Sequence, residues 1–180
     1  EPEDLREIPR GHGEVKKAKD LIPAIMKKYD VYAYVHKGIW HDIGAPADYL
    51  KANFAALDLW GGAAAEGVEV IPPAYIAADV EVGKNAVIGP YAVVGPRSKI
   101  GDYARIRNSV LMGSAMVDPG AYISGTIVGE ECYIGRWARL VDAVVADGVY
   151  VKDEVAVGRG AAIGPNREVV EDVPEGATLP

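Results

Sequence analysis

From Ile76 onward an aliphatic residue stands at every sixth position: Val82, Ile88, Val94, Ile100, Ile106 and Met112. The phase slips by one to Val117 and Ile123, again to Val128, Ile134 and Leu140, and again to Val145, Val151, Val157 and Ile163. All sixteen positions are aliphatic, and glycine follows nine of them. A period of six suits neither a helix nor an alternating strand, whose side chains repeat at 3.6 and 2 residues. It suits a solenoid in which each hexad is a short strand plus a tight corner and three hexads close one triangular coil. Such coils stack at the roughly 4.8 Å strand spacing. The stretch from about Ile71 to Glu168 therefore predicts a parallel β-helix of five to six coils, most of 18 residues and a few of 17. An antiparallel sandwich would instead alternate with period two.

The other columns of the repeat agree. Four places after the aliphatic position the residue is usually small or branched: Ala86, Ala92, Ser98, Ala104, Val110, Ala121, Cys132, Ala138, Val144 and Ala161. This column fits where two faces converge. Three places after it come Asp79, Asn85, Gly120, Gly148, Gly160 and Asn166, types that tolerate positive φ. Pro90, Pro96, Pro119 and Pro165 fall two places after it, at a corner where a missing N–H costs nothing. The last stretch, Val169 to Pro180, leaves the period at Arg167, and its acidic residues and Pro174 read as a blunt end to the stack.

Residues 1–60 have another texture. Asp20 is placed to cap a helix through Ile22, Ile25 and Met26, with Pro23 in its first turn. Val31 to His36 alternates, and Lys37-Gly38 turns it into Ile39 to Ile43, a predicted hairpin. Pro46 opens a second helix with Leu50, Phe54 and Leu57 on one face and Asp48 in its first turn. The expected organisation is an α/β fragment over 1–60, a linker and first strand over 61–75 starting at Gly61-Gly62, and the β-helix with its cap over 76–180. A hairpin and two helices close no core, so residues 1–60 read as a cap on the prism or as the edge of a larger domain.

Charge and composition narrow the function. A formal charge of −7 disfavours a nucleic-acid surface. No apolar run reaches the ~18–20 residues of a membrane span. The single cysteine, Cys132, sits in the small inward column and reads as a buried hydrophobe, and one cysteine fits a reducing cytoplasm.

The segment Gly38-Ile39-Trp40-His41-Asp42-Ile43-Gly44-Ala45-Pro46-Ala47-Asp48-Tyr49 resembles the closing motif of sugar-1-phosphate nucleotidyltransferase domains. It is similar to the form in mannose-1-phosphate guanylyltransferases and glucose-1-phosphate thymidylyltransferases, in which a short helix and a hexapeptide β-helix follow. Glu14 to Pro23 resembles the segment before it. The resemblance implies a left-handed β-helix and, for the whole enzyme, the joining of a nucleoside triphosphate to a sugar 1-phosphate with release of pyrophosphate. It implies that Asp42 supplies one of two carboxylates on Mg²⁺, a cation that takes oxygen ligands. Gly44 and Trp40 would lie near the substrate. Read from the residues alone, Asp42 is equally a polar residue beside a turn, and Trp40 and Tyr49 pack the hairpin on the helix. Two departures stand out: Ala45 replaces the family's threonine N-cap, and the glycine-rich nucleotide loop is absent, so no catalytic set is complete in this chain.

All three histidines, His12, His36 and His41, precede the repeat. A hexapeptide sugar acyltransferase, which resembles this repeat but uses a histidine base between coils, is therefore disfavoured. A stand-alone, non-catalytic assembly module remains the second reading. Trp137, Tyr91 and Tyr103 at corners, with Tyr122, Tyr133 and Tyr150 before axial residues, should point outward and suggest a homo-oligomer, a dimer or a trimer.

Overall fold

The computed structural model describes residues 17–62 and 69–180. His12, Glu14 to Lys16 and the Ala63 to Glu66 part of the expected linker lie outside them. The chain divides into two compact units, Glu1–Trp40 and His41–Pro180.

In the second unit the hexads become a parallel β-solenoid of triangular section, as the period requires. Face one stacks Glu69–Val70, Val87–Ile88, Arg105–Arg107, Tyr122–Ser124, Arg139–Val141 and Ala156–Val157. Face two stacks Ala74–Ile76, Ala92–Val94, Ser109–Leu111, Ile127–Val128, Val144–Val145, Ala162–Ile163 and Thr178–Leu179. Face three stacks Glu81–Val82, Lys99–Ile100, Met116–Val117, Tyr133–Ile134, Tyr150–Val151 and Glu168–Val169. Every pairing is to the same face one coil away, so backbone bonds run along the axis, as from Gly95 N–H to the Leu111 carbonyl at 2.8 Å. The axial column is dry: Ile88, Ile106, Leu111, Ile123, Ile134 and Leu140 are all fully buried.

The stack is taller than expected, up to seven strands on face two against five to six coils, because it extends at both ends. Glu69–Val70 adds a strand before Ile71. At the other end Glu168–Val169 pairs with Tyr150–Val151, Val173 bridges Val157, and Thr178–Leu179 pairs with Ala162–Ile163. Val169 to Pro180 thus continues the coil that the period lost at Arg167. The neighbouring coil templates it, whatever its local pattern.

The register corrects one axial position. Leu111, not Met112, fills the axis: it pairs with Val94 below and Val128 above, while Met112 is 39% exposed. The first slip therefore falls between Ile106 and Leu111, not between Met112 and Val117. All three shortened steps, 106–111, 123–128 and 140–145, then stack on one prism edge, between faces one and two. Asn108, Gly125 and Asp142 turn there with φ of 49°, 65° and 48°. The small inward residue moves with them to Ser109, Thr126 and Ala143, and Val110 and Val144 face outward. The hydroxyls are used: Ser109 Oγ donates to the Arg107 carbonyl and accepts from Thr126 N–H, and Thr126 Oγ1 accepts from Ala143 N–H. Among the described residues no buried side-chain polar atom lacks a partner.

Glycine after the axial residue serves stacking more than turning. A Cβ at Gly95 would fall onto the Met112 carbonyl oxygen of the next coil, so only glycine lets the coils approach. Positive φ sits two residues further on, at Asn85, Gly120, Gly148, Gly160 and Asn166 as expected, but also at Tyr91, Arg97, Tyr103 and Trp137 and not at Asp79. Corner geometry overrides residue preference there: the N–H groups of Tyr91, Tyr103 and Trp137 are claimed by the preceding coil, as Trp137 N–H is by the Pro119 carbonyl at 3.1 Å.

Two expectations before the solenoid are corrected. Asp20 lies inside a π-type turn, Lys17–Leu21, and α1 (Ile22–Met26) begins after Leu21 with no side-chain cap. No strand forms between Val31 and Ile43, so the hairpin is absent. Val31, Tyr32, Tyr34, Val35, Ile39, Trp40 and Ile43 are exposed, and a two-stranded ribbon with no surface to cover its apolar side is not stable by itself. The second helix is as expected: α2, Pro46–Trp60, starts at an uncapped Ala45 with extended dihedrals.

Candidate functional site

The segment from His41 into α2 is built by local bonds. Asp42 Oδ1 accepts the Gly44 N–H at 3.2 Å, an Asx-type turn that aims the chain at Pro46. Pro46 occupies the first helical turn at no hydrogen-bond cost, and the Ala45 carbonyl accepts from Asp48 and Tyr49 N–H, both at 3.0 Å. Asp42 and Gly44 are thus brought together, and a Cβ on Gly44 would stand 3.4 Å from Oδ1. The carboxylate is exposed, with its second oxygen available to a hard cation. Asp42 brings one carboxylate only: among the described residues no three acidic, histidine or cysteine groups converge to hold a metal. Its oxygen chemistry fits Mg²⁺, which commonly takes one or two protein carboxylates and leaves the rest to phosphates and water. Trp40 belongs to the first unit and is exposed.

What fixes this segment to the solenoid is α2. Leu57 is buried, and Phe54 meets the Tyr91 ring at 5.2 Å between centroids. The Tyr91 hydroxyl donates to Asp58 Oδ1 at 3.0 Å, and that bond to a carboxylate raises its pKa above the usual tyrosine value. The helix contacts strand Ser109–Leu111, whose outward Val110 is buried outside the axial core. Tyr91 is therefore occupied by the chain's own helix. The sequence reading missed this latch, whose only signal was that Asp58 follows the Phe54 and Leu57 stripe on an adjacent face. Beside it, Asn53, Ala56, Leu57, Trp60, Tyr75 and Val93 line an open groove of about 460 Å³.

The remaining outward aromatics gather around the opposite prism edge. Tyr103 and Trp137 stand on the edge between faces three and one, 58% and 64% exposed, and the Trp137 indole covers Gly120, where a Cβ would run into the ring. Tyr122 lies on face one, and Tyr133 and Tyr150 stack on face three with centroids 4.6 Å apart. Tyr133 also donates to Asp118 Oδ2 at 2.7 Å, and chiefly this bond pushes its pKa up to about 12. A tyrosine whose folded pKa lies above its unfolded value of 10.0 adds stability that is complete below that pH and lost as pH climbs towards about 12. In urea titrations across this window Tyr133→Phe should begin less stable and lose less than wild type. An unchanged alkaline slope would mean the bond does not persist in solution. Cys132 is buried as expected, and burial raises its pKa, which disfavours the thiolate.

Among the described residues no helix is long and apolar enough to cross a membrane. Residues 70–179 match the family model described as the GMPPB C-terminal domain. The chain is 34% identical to the mannose-1-phosphate guanyltransferase of Aspergillus oryzae and 36% identical to that of Emericella nidulans. Each match covers 86% of this chain and 44% of the relative, so the chain spans less than half the length of these curated relatives. A match over that share of 180 residues reaches well before Glu69 and takes in Asp42. Among solved structures, the hexapeptide transferase family protein of Anaplasma phagocytophilum is similar with a TM-score of 0.47 and 22% identity, over 59% of this chain and 73% of that one.

Proposed function

The chain belongs to the GMPPB C-terminal domain family, and on that premise we propose that it is the C-terminal part of a sugar-1-phosphate nucleotidyltransferase. The whole enzyme joins a nucleoside triphosphate to a sugar 1-phosphate, with mannose 1-phosphate and GTP the pair favoured by the relatives' names, and releases pyrophosphate. The observation that carries this reading is the continuity from Asp42 through α2 to the solenoid within a stretch that the guanyltransferases share. Asp42 would hold Mg²⁺, which when bound would supply charge to offset that of the α-phosphate and pyrophosphate, and the Gly44 N–H keeps the carboxylate aimed while α2 ties its position to the solenoid. Gly44 and Trp40 lie on the substrate side, and the enzyme works in the cytoplasm. The test is the gene product as the cell makes it: with GTP, mannose 1-phosphate and Mg²⁺ it releases pyrophosphate, and the 180-residue chain alone does not. Release by the short chain would overturn the division of labour, and none from the whole product would leave an assembly module.

The solenoid assembles copies of the enzyme, as a dimer sooner than a trimer. Its backbone bonds are spent along the axis, so a partner meets side chains, and Trp137 with Tyr103 offers the largest apolar surface on an exposed prism edge. Sedimentation of the chain at micromolar concentration should show an oligomer that Trp137→Ala weakens. A monomer persisting at about 100 µM, where even a weak specific interface would be populated, would refute the interface.

A further inference from the structure

We propose that face one of the solenoid binds a ligand carrying adjacent phosphate groups, held by Arg105, Arg107 and Arg139 around Tyr122. The register places Arg105, Tyr122 and Arg139 directly over one another in three successive coils, with Arg107 two residues along the first strand on the same side. Consecutive coils lie about 4.8 Å apart, so the three guanidinium groups share a patch about 10 Å across. Tyr122 sits between two of them, with Arg107 5.6 Å and Arg139 4.7 Å from the ring centroid. The strands of this face from Val87 to Val157 carry no carboxylate. Arg105 and Arg139 are exposed, and among the described residues neither has an acidic partner. The fourth arginine nearby, Arg159, is neutralised by Asp142 at 2.9 Å.

Three unpaired guanidinium groups on one patch run against a chain of net charge −7. Like charges on neighbouring strands repel, and a solvated charged face gains nothing by gathering them. Stacking on Tyr122 does more than tolerate them. A guanidinium lying on a ring has its orientation set and its N–H edge left free, the fork that matches phosphate oxygens in pairs. The ordering cost of binding is thereby reduced before any ligand arrives. Arg107 is steadied further by its Nε, which donates to Ser124 Oγ at 3.4 Å. Between Arg139 and Arg159 the surface opens into a depression of about 270 Å³ over Val141 and Gly158, with Glu175 at its far side from the patch's strands, room for the uncharged body that carries the phosphates. The inference rests on the solenoid alone and stands whether or not Asp42 holds a metal.

The 180-residue chain is titrated calorimetrically with inorganic pyrophosphate and, separately, with a nucleoside diphosphate, in buffer of fixed ionic strength. Saturable binding is expected with at least one probe, weakened about tenfold or more by Arg139→Gln and by Arg107→Gln and unchanged by Arg97→Gln, an arginine on another prism edge that donates to Ser114. Tyr122→Leu, which keeps every charge, should weaken binding several-fold, the readout of orientation as opposed to net charge. Tighter binding of the nucleotide marks a nucleotide as the source of the phosphates, and equal binding marks the phosphates alone. No saturable heat from either probe at millimolar concentration, equal binding of sulfate, or equal loss in Arg97→Gln would overturn the proposal.

Discussion

Asp42→Asn in the intact enzyme should lower kcat by about a hundredfold or more while leaving its folding stability within about 0.5 kcal/mol of wild type. The two halves of that expectation have separate physical sources. Asp42 is exposed, and its described contact is the 3.2 Å bond from Gly44 N–H, which an asparagine Oδ1 accepts equally well. The turn into α2 therefore survives. What disappears is a full negative charge on the oxygen that, in the proposed role, would face a divalent cation, and the neutral amide is a poor ligand for Mg²⁺. A kcat within about threefold of wild type at saturating Mg²⁺ would return Asp42 to the role of a turn residue.

Leu111→Ala should cost about 2–5 kcal/mol and Met112→Ala less than about 1, measured by urea unfolding of the 180-residue chain. Leu111 is fully buried between Val94 and Val128, so truncation leaves a void in a core of stacked aliphatic side chains that cannot collapse without bending three faces at once. Met112, one residue on, is 39% exposed at a corner. The pair is a direct measurement of register. If Met112→Ala proved the costlier change, the short corners would no longer stack on one edge, and the hydrogen bonds that Ser109 Oγ and Thr126 Oγ1 accept from the following coil would lose their partners.

Leu111 also shows where one-dimensional pattern reading stops. Both neighbours are apolar, and counting sixes from Ile106 arrives at Met112. Only stacking separates them, because the coil above must offer the Leu111 carbonyl to Gly95 N–H and the Val128 carbonyl to Met112 N–H. The same reasoning covers Val169 to Pro180, where the hexad dissolves yet strands persist on the last complete coil. It covers the arginine patch too. Arg105, Tyr122 and Arg139 are 17 residues apart in sequence, and their meeting is invisible until coil length is known to the residue.

Ahead of the solenoid the balance differs. Pro46, Asp48 and the Leu50, Phe54, Leu57 stripe were sufficient to place α2, because a helix closes its hydrogen bonds within itself and announces its buried face by spacing. The apparent hairpin from Val31 to Ile43 had an equally suggestive alternation, but a ribbon needs a surface to cover its apolar side, and alternation cannot say whether one is present. The solenoid, its apolar axis and most of its small inward column followed from the order of residues alone, since a period of six leaves one way to bury an aliphatic column. The register at Leu111, the latch of Tyr91 and Asp58, the Trp137 edge and the guanidinium groups on Tyr122 were decided by tertiary structure. Each depends on which residues stand one coil apart, and that distance is set by hydrogen bonds between coils.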